Sequence, residues 1–281
     1  MEHAVKALGL SERRACRLTR LSRASWQYES VPESPENASL REKIREIALR
    51  RRRFGMPRIW RMLKREGWEV NHKRVERIYN EEGLSLRLKR RKKRASATRL
   101  PLPKPTGPDQ AWSMDFVSDW LRNGRKLKML TIVDQFTREC LAIEVGLGMT
   151  GKEVSEVLDR LLEVRGKVES IRVDNGPEFA GNAMDAWAYE RGIKLDFINP
   201  GKPTENAFIE SFNGRLREEC LNDNQFLTLI EAQTIIEAWR KDYNEQRPHG
   251  SLNGLTPREF AQQHSTMLNN INLKNNQFTV A

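Results

Sequence analysis

The stretch from Trp112 to Glu219 constrains this chain most, because it carries three carboxylates in three unlike settings. Asp115 lies inside Ala-Trp-Ser-Met-Asp-Phe-Val, an apolar run with one charged position, which reads as a buried strand. Asp174 closes Ile-Arg-Val-Asp and leads into Asn-Gly-Pro, a strand running into a turn. Glu210 lies in Asn-Ala-Phe-Ile-Glu-Ser-Phe-Asn-Gly-Arg-Leu-Arg-Glu-Glu, whose apolar spacing is helical. If the three act together, two strand ends and one helix have to converge.

The surrounding pattern supplies those elements. Strands are expected at 112–118, 127–135 and 139–146, then a helix at 151–165 capped by Thr150, a strand at 169–174, a helix at 178–191 and a strand at 194–199. Helices at 205–221 and 230–244 complete the domain. Three consecutive strands followed by alternating helices and strands describe an α/β fold over 111–264, a mixed five-stranded sheet flanked by helices. A polar, Asn-rich tail is expected at 265–281.

The residues before this core are of a different kind. Residues 1–30 read as a short helical segment, with Ser11 and Ser22 as caps, and 31–39 as a polar linker with two prolines. Three amphipathic helices follow, with apolar faces at Leu40, Ile44, Ile47 and Ala48, at Ile59, Met62 and Leu63, and at Val75, Ile78 and Tyr79. Gly67 and Gly83 stop the second and third. The result is a small all-α, helix-turn-helix-type module over 40–94. Its third helix, capped by Asn71, offers Lys73, Arg74 and Arg77 beside His72 to a DNA groove or to phosphates alone. Residues 95–110, with four prolines, form a linker.

Charge separates the two regions. Residues 41–94 hold 21 Lys/Arg and 7 Asp/Glu, a net of +14, whereas the remaining 28 and 31 give −3. A local excess of that size points to a polyanionic partner, with nucleic acid the natural one. The run containing Lys89, Arg90, Arg91, Lys92, Lys93 and Arg94 is too densely charged to pack, and reads as an extended arm along phosphates. Three scattered cysteines lack metal-ligand spacing and imply a reducing compartment without disulfides. No apolar run of membrane-spanning length and no apolar signal segment occurs, so a cytoplasmic protein with no membrane partner is expected.

At about 100° per residue, Phe208, Ile209, Phe212 and Leu216 share roughly a 100° arc, while Asn206, Glu210, Asn213 and Arg217 share the opposite side. Three anions gathered within about 4–5 Å repel by several kcal/mol at a surface dielectric and need compensation. Oxygen-only ligands favour magnesium or manganese over zinc. Two ions about 3.5–4 Å apart would suit in-line displacement at a phosphodiester, with Arg217 clamping a phosphate and Lys202, in the Gly-Lys-Pro loop before the helix, reaching DNA. Tyr243 and His249 lack a paired base and read as structural, with His249 near the site.

Three segments, Trp112-Ser-Met-Asp-Phe-Val, Arg172-Val-Asp-Asn-Gly-Pro-Glu-Phe, and Asn199 through Asn222, resemble the transposase OrfB of bacterial insertion sequences in the IS-three family. Tyr243-Asn-Glu-Gln-Arg-Pro-His, Leu255-Thr-Pro-Arg-Glu-Phe and residues 54–83 extend the likeness over most of the chain. The resemblance implies an RNase H-like catalytic core akin to retroviral integrases, with Asp115, Asp174 and Glu210 as both catalytic residues and metal ligands. It implies that Arg217, seven positions after the glutamate, contacts DNA, and that Asn213, at a matching polar position three after it, belongs with the DNA-binding residues. It further implies a nucleoid-associated bacterial enzyme that acts on terminal inverted repeats and target DNA as a homo-oligomer, with an upstream-frame OrfA product as partner or fusion. Phe54-Gly-Met-Pro-Arg departs from the aromatic-Gly-Tyr-Arg-Arg that the family usually has here, although Pro57 is compatible with a first helical turn. A non-catalytic DNA-binding regulator and a nuclease that cuts without joining remain open alternatives at this point.

Overall fold

The computed structural model describes residues 2–29, 33–86, 104–199 and 206–266. The chain divides into two compact units, Met1–Glu46 and Ile47–Ala281. In the first, α1 (Glu2–Lys6) precedes α2 (Glu12–Thr19) and α3 (Arg23–Trp26). Ser11 and Ser22 both occupy N-cap positions, and the Ser22 hydroxyl accepts from the Ser25 N–H at 2.9 Å. Helix α4 (Pro35–Arg50) begins inside the stretch read as linker. Pro35 suits a first helical turn, and Ser34 Oγ accepts the Asn37 N–H at 3.3 Å, so the polar residues cap the helix.

In the second unit, α5 (Met56–Arg65) and α6 (His72–Glu81) bury the expected faces, with Ile59, Leu63, Val75 and Ile78 fully enclosed. Pro57 opens α5, Asn71 Oδ1 caps α6 through the Lys73 N–H at 2.9 Å, and Gly67 and Gly83 end their helices at positive φ. Ion pairs tie Arg51 to Asp242, Arg58 to Glu219 and Arg65 to Glu259. Part of the basic excess is therefore committed inside the protein rather than offered to a partner.

The sheet is mixed and five-stranded, in the order β3-β2-β1-β4-β5. Strands β1 (Ala111–Trp120), β2 (Lys126–Asp134) and β3 (Cys140–Gly146) form an antiparallel meander, and β4 (Ser170–Val173) and β5 (Lys194–Phe197) extend it in parallel beyond β1. Alternation assigns the faces. Trp112, Met114, Leu130 and Ile132 pack with α7 (Gly151–Arg165) and α8 (Asn182–Arg191) on one side. Val117, Leu127, Met129 and Val133 pack with α9 (Ala207–Glu219) and α10 (Leu229–Glu245) on the other. Asp115 lies two residues from Val117, so it faces α9.

Local chemistry explains the boundaries. Thr150 and Glu153 form a capping box at α7. Helix α8 starts four residues later than its periodicity suggests, because 176–180 are turns that send Phe179 into the core. A last helix, α11, spans 257–266, with Thr256 and Glu259 capping one another; Ser265 and Thr266, read as tail, belong to it. The remaining tail and the arm residues Lys89 to Arg94 lie outside the described residues. Cys16, Cys140 and Cys220 are all buried and free. No helix among the described residues is long and apolar enough to cross a membrane.

Candidate active site

Register brings the two aspartates together. Strand β1 pairs with β4 through Trp112↔Ile171 and Ser113↔Arg172, and the same offset carried two residues further sets Asp174 beside Asp115. Both therefore stand where two adjacent parallel strands end their pairing. The turn after β4 is tight: Asp174 Oδ1 accepts the Gly176 N–H at 2.9 Å, and a Cβ on Gly176 would stand 2.9 Å from that same oxygen. Asn175 donates to the Ile198 carbonyl at 2.9 Å, which makes it a turn former. Glu178 does not cap α8; it pairs with Lys128, whose ammonium lies 4.1 Å from the centroid of the Phe116 ring.

Helix α9 covers Asp115. Its buried face is Ile209, Phe212 and Leu216, whereas Phe208 is only partly buried and stacks under the Arg138 guanidinium at 3.7 Å. Asn213 is half-buried and its amide is used at both ends. Nδ2 donates to Asp115 Oδ2 at 2.9 Å, and Oδ1 accepts from the Thr131 hydroxyl at 2.9 Å. Thr131 is fully buried opposite Asp115 on β2, and its single proton is shared with the Asp115 carbonyl at 3.1 Å. The structure thus places Asn213 as a strut for Asp115. Thr131 escaped sequence reading, although it is the one polar residue among Leu127, Met129 and Val133 on the α9-facing side of β2.

Glu210 occupies the first turn of α9 and is exposed. Arg217, two turns on, donates to the Ser118 carbonyl at 2.9 Å, which holds it at the rim of the strand that carries Asp115. The Asp115 carboxyl is pushed up to about 6: burial is the main cause, the Asp174 and Glu210 charges add to it, and the Phe116 N–H and Asn213 oppose it. All three carboxylates therefore feel one field. Among the described residues, however, no three Asp, Glu, His or Cys side chains stand close enough to hold a metal ion. The donor chemistry fits a hard divalent cation, and the three groups are coupled without being drawn to ligating distance.

A stability effect follows from Asp115. Its raised folded-state pKa means that its contribution is fully present below about 3.8 and is lost as pH rises through about 6. In chelator, Asp115→Asn is expected to stabilise the protein by about 1–2 kcal/mol at pH 7.5 and by almost nothing at pH 4, a discount for partial exposure already taken. Urea titrations at the two pH values check this; equal effects at both would remove the electrostatic cause.

The other expected residues fall elsewhere. Lys73 and Arg77 are exposed on α6 and Arg74 is half-buried there; Lys202 lies outside the described residues. Asp134 is buried, but it accepts from Asp109, Phe136 and Thr137 and serves a turn. Tyr243 and His249 are buried against one another at 4.7 Å, and burial together with neighbouring arginines pushes His249 down to about 2, so it cannot act as a base near neutrality.

Residues 105–203 and 191–257 both match families described as integrase core domain, and 35–94 match an HTH-like domain. Over 257 residues the chain is 49% identical to the uncharacterized 31.7 kDa protein of insertion element IS407 from Burkholderia multivorans, covering 92% of each. It is 26% identical over 261 residues to the putative transposase InsK of insertion sequence IS150 from Escherichia coli, covering 88% of this chain and 92% of that one. The chain belongs to the IS-three family of insertion-sequence transposases. Among solved structures, a simian T-cell lymphotropic virus intasome chain aligns with a TM-score of 0.53 at 15% identity, covering 78% of this chain and 74% of that one. That likeness identifies the fold of the transposase as the RNase H-like fold of retroviral integrases. The module before the core is accordingly an HTH-like domain, and the transposase as a whole acts on DNA.

Proposed function

We propose that this transposase cuts and joins DNA strands at the ends of its element, using Asp115, Asp174 and Glu210 to hold two magnesium or manganese ions. The observation that carries the reading is the strand register that sets Asp174 beside Asp115, under the helix that bears Glu210. At Asp115 burial first, and then the charges of Asp174 and Glu210, disfavour the bare carboxylate, and a divalent cation would relieve the part due to charge. Bound ions would supply activation of a water or a DNA 3′-hydroxyl and neutralisation of the leaving oxygen. The protein's own groups do the rest. Asn213 and Thr131 hold the Asp115 carboxylate in place, and Gly176 leaves room beside Asp174. Glu210, exposed on the first turn of α9, is free to turn inward without disturbing the core. Arg217 offers its guanidinium to a phosphate at the rim.

The test is incubation of labelled terminal-repeat DNA with the protein and magnesium, followed by separation of nicked and joined products. Joined product supports the reading; cleavage alone assigns a nuclease, and binding alone a regulator. The exposed Lys73 and Arg77, with Arg74, are assigned to DNA on α6, and the run 87–94 and Lys202 to phosphates. Deleting 87–94 is expected to flatten the dependence of log affinity on log salt by several units, at about 0.9 per phosphate on duplex DNA. An unchanged slope in a fluorescence-anisotropy titration would exclude the arm. The working assembly is assigned as a homo-oligomer bridging two DNA ends in the bacterial cytoplasm, with an upstream-frame product supplying further end recognition.

A further inference from the structure

Behind α9, on the side turned away from Glu210 and Arg217, lies a cavity of about 1070 Å³. Six arginines line it, drawn from four separate stretches: Arg53, Arg58 and Arg61 before and within α5, Arg138 between β2 and β3, Arg215 on α9, and Arg247 after α10. Among the described residues, only Glu218 and Glu219 oppose them there. Glu219 is already taken, by Arg247 at 2.6 Å and Arg58 at 3.6 Å. Among the described residues, Arg53, Arg61, Arg138 and Arg215 have no carboxylate within ion-pairing distance.

Two details show that these cations lack a partner. Arg215 Nη1 reaches only its own helix, at the Ser211 carbonyl and hydroxyl, 3.0 and 3.1 Å away. Arg138 Nη1 is buried with no hydrogen-bond partner at all, although buried donors are almost always satisfied. The field confirms that they converge: after burial, the groups that hold the His249 ring neutral are Arg247, Arg215, Arg58 and Arg138. Arg58 is itself lowered to about 10, by burial first and then by Arg247. Phe208, with Arg138 stacked on it, and Met56 add an apolar wall.

We propose that this cavity is a second DNA-binding site of the transposase, holding one or two nucleotides of a single strand by their phosphates on Arg53, Arg61, Arg138 and Arg215, with a base against Phe208 and Met56. The volume, about 1070 Å³, stands at the upper end of small-ligand pockets and admits a nucleotide. Stacking of bases on aromatic and guanidinium planes within a cationic groove is how single strands are held without sequence preference. Because the cavity and the carboxylate row occupy opposite faces of α9, a strand held here is not the one being cut. The proposal rests on the chain's action on DNA, but not on the metal chemistry.

The experiment uses the full chain carrying Asp115→Asn in chelator, so that nothing is cut. A fluorescein-labelled 12-nucleotide single strand is titrated against it across a range of salt. Its 5-iododeoxyuridine counterpart is photo-cross-linked and mapped by mass spectrometry. Adding Arg53→Ala and Arg215→Ala together is expected to flatten the salt slope by about 1.4, at about 0.7 per phosphate on single strands, and to abolish cross-links to the Phe208 peptide. Lysine at both positions should restore much of the slope, and Lys152→Ala, exposed on the first turn of α7 and not in the cavity lining, should change nothing. An unchanged slope with no cross-link at Phe208 overturns the proposal and leaves the arginines a structural role. Displacement of the strand from Phe208 by ATP or pyrophosphate at micromolar concentration also overturns it, and assigns the cavity to a free nucleotide. A chain that fails to join DNA but retains the cross-link separates this site from the catalytic reading.

Discussion

Asp115→Ala, Asp174→Ala and Glu210→Ala are each expected to lower strand joining by about 10³-fold or more, roughly 4 kcal/mol of barrier, while leaving affinity for terminal-repeat DNA within about twofold. The reason lies in where the three groups sit. Each is a carboxylate midway along β1, just after β4, or on the first turn of α9, and among the described residues none has a basic side chain within ion-pairing distance. Removal therefore takes away a proposed metal ligand and leaves neutral donors, not a cation, without their acceptor. DNA affinity comes from cations placed elsewhere, so it should survive. Labelled product on a sequencing gel reads the joining step, and anisotropy reads binding; retained joining by any one variant would remove that residue from the site. Asn213→Ala is expected to behave differently, as a partial loss, because it takes away only the strut that orients Asp115 Oδ2.

Arg247→Ala is the largest expected stability change, about 3–5 kcal/mol. Arg247 is 2% exposed and makes two hydrogen bonds to Glu219, at 2.7 and 2.6 Å, while its guanidinium also lies over Phe54 and Tyr243. Truncation leaves Glu219, itself 9% exposed, as a buried anion with only the longer contact to Arg58. Because the penalty is the stranded charge, the double variant with Glu219→Ala should recover a good part of the loss. Urea denaturation of the single and double variants measures both. A single-variant effect under about 1 kcal/mol would mean that water reaches Glu219 and that the pair is not buried in solution.

Much of this was legible in the chain itself. Apolar runs and turn residues located all five strands, and Thr150, Asn71 and Ser22 announced their helices because a cap is a local hydrogen bond between near neighbours. The Glu210 helix showed its two faces through spacing alone. The bounds of α4 and α11 were missed although their caps are local; the other errors fell where a distant contact decides. The start of α8 moved because Phe179 packs into the core that α7 and α8 share with the sheet. Glu178, beside that start, pairs with Lys128 on β2, a contact across 50 residues that no local pattern shows.

The role of Asn213 belongs to the same class. On a helical wheel it shares a face with Glu210 and Arg217, which suggested a third group offered to DNA. In the fold it turns into Asp115 and Thr131, residues 98 and 82 positions away. Likewise Phe54 through Arg58, Arg215, and Tyr243 through His249 read as three separate patches, and only the packing of α5, α9 and the segment after α10 joins them around one cavity.

The sequence by itself determined the family, the α/β sheet order of elements, the three carboxylates and the basic segment before them, since each is written in residues close together along the chain. Tertiary structure alone decided that Asp115 and Asp174 are neighbours, that Asn213 and Thr131 brace the first of them, and that arginines from four stretches meet behind α9. Those outcomes depend on which strands pair, in which register, and on which side of the sheet a helix lands. Burial then sets the charge behaviour, because the pKa of Asp115 and the unpaired state of Arg138 come from the groups and the water around them, which no local pattern encodes.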